Sequence, residues 1–353
     1  MTYTCLNVRL PLIIVLFAVT PAHAQWQIQS SPSIADLRGI HNAGNGVAWA
    51  SGNQGVVLRT LNGGETWQRC AIPPGGEGLD FRGIHALDAR TAMVMSAGKG
   101  SLSRLYKTSD GCQTWELLFT NPDEDGFWDA LLYEGASGVT LVLGDPVRGN
   151  FVLYSSRGRD HRWTKTVNDP PPQALPGQTL FAASNSLLIG NVAGGQFSFV
   201  TGGSRPEIVT RTSSGWARAP LPLASGETSG AFSIAANSSA IVVAGGDYKH
   251  PDQRQGTGAF SSDSGYHFRA AETPPGGYRS AVAYDAPSQF WIAVGPNGSD
   301  ISRDNGRTWS RLAPGAGDAP EADKNWNALS LPFAVGPHGR IGKLQAAAHE
   351  SSR

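Results

Sequence analysis

Ser302-Arg-Asp-Asn-Gly-Arg-Thr-Trp309 spells out a chain reversal, and its pattern returns in Thr60-Leu-Asn-Gly-Gly-Glu-Thr-Trp67, Thr108-Ser-Asp-Gly-Cys-Gln-Thr-Trp115, Ser156-Arg-Gly-Arg-Asp-His-Arg-Trp163 and Ser261-Ser-Asp-Ser-Gly-Tyr-His-Phe268. Each window opens on a hydroxyl and closes on an aromatic seven residues later. At the third position Asn62, Asp110, Asp263 and Asp304 are suited to accept bonds from nearby backbone N–H groups, and glycine supplies the positive φ of the turn. The closing rings Trp67, Trp115, Phe268 and Trp309 then plug the sheet beneath. Two windows depart from the pattern: Cys112 stands where glycine is expected, and Gly158 where the carboxylate should be. A sixth copy, Arg211-Thr-Ser-Ser-Gly-Trp216, is shortened.

Around these turns the chain repeats every 41–53 residues. Openings such as Leu37-Arg-Gly-Ile-His41 and Phe81-Arg-Gly-Ile-His85 lead into short alternating strands. Seven small apolar runs follow, each closing on glycine: Ala48–Gly52, Val94–Gly98, Leu141–Gly144, Leu188–Gly190, Val242–Gly245, Ile292–Gly295 and Phe333–Gly336. A third strand such as Val56–Thr60 precedes each turn, and a fourth carries the closing aromatic. Four short strands per repeat predict an all-β, seven-bladed propeller of four-stranded antiparallel blades. The seventh repeat, from Asn325-Trp-Asn-Ala-Leu329 to Arg340-Ile-Gly-Lys-Leu344, stops without a turn or fourth strand. Gln25-Trp-Gln-Ile-Gln29 has the form of that missing strand, with Trp26 where Trp67 and Trp309 stand, so an N-terminal strand is expected to complete the last blade.

These windows resemble the Asp-box of bacterial-neuraminidase-type (BNR) repeats, and Arg59-Thr-Leu-Asn-Gly-Gly-Glu-Thr-Trp67 is similar to the blade signature of the photosystem II assembly and stability factor family. The resemblance implies a propeller in which the box is a fold device. It also implies action on partner proteins, which in that family takes place in the thylakoid lumen, and an arginine-rich surface that would fall on Arg38, Arg82 and Arg279.

Composition agrees with a turn-rich β protein: 44 Gly and 23 Pro in 353 residues, at 16% charged. Residues 1–24 read as a secretory signal, with Arg9, an apolar run from Leu10 to Val19 and Ala22-His23-Ala24 as the cleavage site. The run is about half of the roughly 20 residues a membrane span needs. Cleavage leaves a propeller over 25–344, a tail over 345–353, and a net charge of −1, since only one of 28 basic residues and none of 28 acidic ones is removed. That balance argues against nucleic acid and against lasting membrane insertion. Export makes a Cys70–Cys112 disulfide chemically reasonable. The strand order argues against it, placing Cys70 at an outer strand's end and Cys112 in a turn on the opposite face, so the pairing stays open.

No metal, cofactor or catalytic residue is assigned: HExxH, CxxC, G-x-S-x-G and phosphate-loop patterns are missing. His41 and His85 recur at one repeat position, which favours packing over metal ligation. Aligning the seven openings places Arg38, Arg82, Trp128, Phe181, Phe232, Arg279 and Trp326 at one level of the central funnel. Arg38, Arg82, Trp128, Arg279 and Trp326 come from consecutive blades and form the candidate binding face: guanidinium forks for carboxylates, rings for apolar or sugar faces. Loops of the same face add Lys99, Asp145, Arg148, Tyr248, Lys249, His250 and Arg254. The expected function is an exported, non-catalytic scaffold that binds an acidic protein or peptide partner. The alternatives are a sialidase-type glycoside hydrolase, with Tyr278 or Tyr248 and Asp129 or Asp145 in the catalytic roles, and a carbohydrate-binding propeller.

Overall fold

Seven antiparallel sheets succeed one another around a central channel in a computed structural model that describes residues 25–158, 162–165, 171–190, 196–315 and 318–345. The first blade consists of Leu37–Gly44, Val47–Gly52, Val57–Thr60 and Gln68–Arg69, counted from the channel outward. The inner strands of the next five are Phe81–Ala86, Trp128–Glu134, Leu188–Gly190, Gly226–Ala236 and Ala281–Asp285. The described residues contain one helical turn, the 3-10 segment Gly100–Leu102.

The seventh blade closes the ring. Its inner strands Ala328–Ser330, Phe333–Val335 and Ile341–Gln345 are followed by Gln25–Gln29, which runs antiparallel to Ile341–Gln345 with Trp26 opposite Leu344. Trp26 is buried against Trp326 at 5.2 Å between ring centroids, and its Nε1 donates to Ser299 Oγ of the sixth blade at 3.1 Å. Trp67 is placed alike one blade on, edge-on to Phe333 and donating to Gln29 Oε1. Pairing through Gln345 reaches one residue into the segment read as a tail. The proposed signal over 1–24 and residues 346–353 lie outside the described residues.

Four of the eight-residue turns follow one hydrogen-bond plan. In the window from Ser302, the opening hydroxyl bonds Asp304 Oδ1 and accepts from the Gly306 N–H, while Asp304 Oδ1 also accepts from the Thr308 N–H. Asn62, Asp110 and Asp263 repeat these contacts. Bonds from the Thr114 side chain and backbone hold Asp110 down to about 2. The turn is thus satisfied by its own residues, which is why it reads so clearly in sequence. Trp67, Trp115 and Trp309 are buried against the preceding blade. Second strands such as Ala92–Ser96 and Phe290–Gly295 are buried at every residue because neighbouring blades cover both faces.

Two expectations change. Leu188–Gly190 is the inner strand of the fourth blade, and its second strand is Phe197–Val200. A three-residue apolar inner strand carries no alternation to distinguish it from a second strand. Cys70 and Cys112 are bonded, with Cα atoms 5.3 Å apart. The outer strand Gln68–Arg69 has only two residues, about 7 Å of chain. Cys70 therefore has not crossed the blade, and it meets the next blade's turn, where Ala71 N–H also bonds Cys112 O and Trp115 Nε1 bonds Ala71 O.

Candidate functional site

Apart from the fifth blade, whose inner strand also pairs with Gly202–Gly203, an inner strand has no sheet partner on its channel side, so its backbone groups need other partners. In the lower half of the channel, side chains of the neighbouring blade supply them. Asn185 accepts from Leu131 N–H at 2.7 Å and donates to Leu131 O at 3.0 Å. Ser233 Oγ accepts from Val282 N–H, Ser330 Oγ from Asn42 N–H, and His41 Nδ1 from Ala86 N–H. His41 and His85 stack at 4.2 Å, and His85 meets Tyr133 edge-on. Burial lowers the pKa of His41 to about 4, and burial together with His41 lowers that of His85 to about 3. The recurring histidines are thus packed against each other, and no group of three or more metal-ligating side chains occurs among the described residues.

The upper half opens into a funnel of about 790 Å³. Its lining follows a register that separates the residues expected there. Leu37, Phe81, Trp128 and Ala231 pair with Gly52, Ser96, Gly144 and Gly245 of their own blades, and in each case the ladder resumes two residues later. The residue skipped is Arg38, Arg82, Asp129 or Phe232. Such a bulge re-aims one side chain, and all four line the funnel. Leu37, Arg279 and Trp326 are equivalent to one another: each donates its backbone N–H to the glycine ending the preceding blade's second strand, at 3.1, 2.9 and 3.2 Å. The funnel positions of the sixth and seventh blades are therefore Ser280 and Asn327, and Phe181 completes the circle from the fourth.

Sequence alignment thus misplaces three of the five candidate binding residues by one position, and one position turns a side chain from the channel into the blade. Trp128 is fully buried against Phe119 and Tyr154. Trp326 is fully buried between Trp26 and the Arg340 guanidinium and only borders the funnel floor. Arg279 is 2% exposed and bound to Asp300, with further bonds to Asn297 Oδ1 and Tyr278 O. The signal that restores the register is the small residue after each funnel position: Gly39, Gly83, Ala130, Ser233, Ala281 and Ala328. A Cβ at Gly39 would lie 2.7 Å from Ser51 Oγ and 2.9 Å from Arg82 O, so the inner strands approach too closely there for anything large.

The funnel is divided into sectors. Arg38 and Arg82 stand side by side on the first two blades. Arg82 donates to Asp80 Oδ2 at 2.8 Å and to Ala182 O at 3.0 Å. Arg38 Nε is buried and has no hydrogen-bond partner among the described residues. Asp129 and Asp145 form the adjoining sector. Asp145 Oδ1 accepts from Thr179 Oγ1 and Leu180 N–H, at 2.6 and 2.9 Å. Asp129 is 1% exposed, and its Oδ2 is unpartnered. Burial, and then the charge of Asp145, push Asp129 well above the ordinary carboxylate range, with the Asp145 backbone N–H, the Arg82 charge and the Ala182 backbone N–H opposing; burial also raises Asp145. Beside it lies an aromatic wall: Phe181 and Phe232 stack in parallel at 4.2 Å, Tyr248 meets both edge-on, and Tyr278 meets Phe232 at 4.7 Å. Gly202 makes room for this wall, since a Cβ there would lie 2.2 Å from the Phe181 ring. At the rim, Lys99 and Asp125 form an exposed pair. Arg148, Lys249 and Arg254 are exposed loop residues, and His250 bonds Asp247 in its own loop.

Fold and site together define an all-β, seven-bladed propeller closed by its N-terminal strand and open on one face. Solved structures similar to it include YCF48 bound to D1 peptide (TM-score 0.61, 16% identity, 91% of this chain and 96% of that one). YCF48 from Cyanidioschyzon merolae is similar too (0.59, 17%, 91% and 98%). The GH74 xyloglucanase of Xanthomonas campestris matches with a TM-score of 0.63 and 16% identity over 90% of this chain, but over 53% of its own length. No protein-family model matches the chain, and no curated protein matches it in sequence. At such identities the likeness is one of fold, the fold expected from the photosystem II assembly factor resemblance.

Proposed function

We propose that this protein is an exported, non-catalytic scaffold that holds a carboxylate-bearing segment of a partner protein in its funnel. The observation that carries this reading is Arg38, a guanidinium directed into the funnel with a buried, unpartnered Nε. A carboxylate would supply the missing acceptor and would be held more strongly there than in bulk water. The space of about 790 Å³ suits a few residues of chain beside an apolar wall. Supporting it, a propeller of similar fold was solved with a peptide bound. Export is supported by the leader-like residues 1–24 and by the buried Cys70–Cys112 bond, of a kind that persists in oxidising compartments.

The test is affinity capture from the exported fraction with wild type and an Arg38→Ala/Arg82→Ala variant. Loss of the same partner from the variant is expected; equal capture by both would remove the funnel from consideration. A second reading, glycoside hydrolysis, is favoured by one observation: Asp129 and Asp145 are two carboxyls of unequal environment opening on one cavity. Turnover of a chromogenic xyloglucan or sialoside that disappears in Asp129→Asn would establish it. The sialidase form of this reading is the less well supplied, because Arg279 is committed to Asp300 and two guanidiniums face the funnel where a triad is required.

A further inference from the structure

The funnel is not a basic patch. Arg38, Arg82 and Lys99 are matched in it by Asp125, Asp129 and Asp145. Lys99 and Asp125 satisfy each other at the rim, and Arg82 is held by Asp80 and the Ala182 carbonyl. What remains inside is one group of each sign with an unpartnered buried atom: the Arg38 guanidinium through its Nε, and the Asp129 carboxyl through its Oδ2, the backbone N–H groups of Asp145 and Ala182 acting on the rest of that carboxyl. Asp129 is more than nine-tenths buried, yet neither it nor Asp145 forms an ion pair among the described residues. Two carboxyls sharing a secluded site resist ionisation together, and an incoming cation removes that conflict because it attracts both at once. The wall beside them is aromatic, and aromatic rings favour a cation at their faces.

We propose that the Asp129–Asp145 sector, flanked by Phe181 and Tyr248, receives a cationic group of the bound segment, a lysine ammonium or arginine guanidinium, while Arg38 takes a carboxylate of the same segment. The preferred partner is then a short stretch carrying both charges, rather than an acidic one. This deepens the reading of the funnel as the contact surface and rests on it. Binding by both sectors requires the two charges to lie within one funnel's width, so segments with either charge alone bind less well. Phe181 lines the funnel next to this sector, since it follows Leu180, whose N–H holds Asp145.

The experiment uses a phage-displayed library of random heptapeptides, selected on the wild-type protein, on Arg38→Ala and on Asp129→Asn/Asp145→Asn. Asparagine keeps an acceptor for Thr179 and Leu180, and circular dichroism of each variant checks the fold. Peptides from wild type are expected to be enriched in paired basic and acidic residues, and a synthetic copy to lose about 30-fold or more in affinity for the Asp variant. The Asp variant should select peptides without the basic residue, and Arg38→Ala peptides without the acidic one. Enriched peptides that depend on Arg38 but bind the Asp variant as tightly as wild type overturn this proposal and leave the funnel reading standing. So does full binding to Asp129→Asn by a purely acidic peptide, which would make Asp129 a hydrogen-bond donor to a carboxylate. Peptides indifferent to both variants, or no enrichment over a blank surface, overturn the proposal and the funnel reading together.

Discussion

The lower channel and the upper funnel are lined by the same inner strands, yet they treat polar groups in opposite ways. Below, Asn185, Ser233, Ser330 and His41 bridge four neighbouring pairs of blades, each to the backbone of the adjoining blade's strand. Above, Arg38 and Asp129 are turned inward by bulges, and each keeps a buried polar atom, Nε and Oδ2, without a partner. An unsatisfied buried polar group destabilises a fold unless something else requires it. The contrast separates residues that hold the ring together from residues that, on the proposed reading, would meet a ligand, and it assigns opposite outcomes to substitutions of the same chemical type.

The sharpest break is between two arginines. Removing the Arg279 side chain strands a buried Asp300 carboxylate, so Arg279→Ala is expected to lower stability by about 3–5 kcal/mol in urea unfolding. Next in size is the bridge between the third and fourth blades. Asn185→Gly leaves the left-handed backbone (φ 62°) unstrained but deprives Leu131 of two bonds, a loss of about 2–3 kcal/mol with early amide exchange at Leu131.

Acid should weaken the lower channel through its histidines. Their folded pKa values, about 4 and about 3, lie below the ordinary value near 6.5, so the unfolded chain takes up protons first. The stability is present above pH 6.5 and is lost as pH falls toward 4 for His41 and toward 3 for His85, on the order of 2 kcal/mol for each by pH 5. A His41→Gln/His85→Gln variant should flatten that profile. The smallest effect is expected at Arg38→Ala, within about 0.5 kcal/mol of wild type, because that side chain serves no bond in the fold. Equal losses at Arg38 and Arg279 would erase the distinction between the two regions.

How much of this could be read beforehand follows from where the information resides. The turns from Thr60 to Trp67 and from Ser302 to Trp309 satisfy themselves with their own side chains, so blade number and ring closure were legible, down to Trp26 taking the place of the missing aromatic. Funnel membership depends, in four of the blades, on a one-residue bulge in the inner strand, to which alternation of apolar residues is blind. Arg38 and Arg82 were placed correctly because each precedes the informative glycine, Gly39 or Gly83. At Trp128, Arg279 and Trp326 the alignment of the openings falls one residue early, on the buried residue before the funnel position. Asp129, Ser280 and Asn327 were legible only through the small residue after them. The Cys70–Cys112 bond was obscured by a two-residue outer strand shorter than the blade plan suggests.

The most direct measurement is the urea midpoint of Asp129→Asn at pH 8 and at pH 4. The folded pKa of Asp129 is raised, so whatever stability its protonated form contributes is present below the ordinary carboxylate pKa and is lost as pH rises through the folded value. Asparagine imitates the protonated side chain. If the funnel keeps this carboxyl for a ligand, the variant is more stable than wild type at pH 8, by about 1 kcal/mol or more, with the difference shrinking at pH 4. A variant less stable than wild type at both pH values would make Asp129 a structural residue and contradict the division on which the account rests.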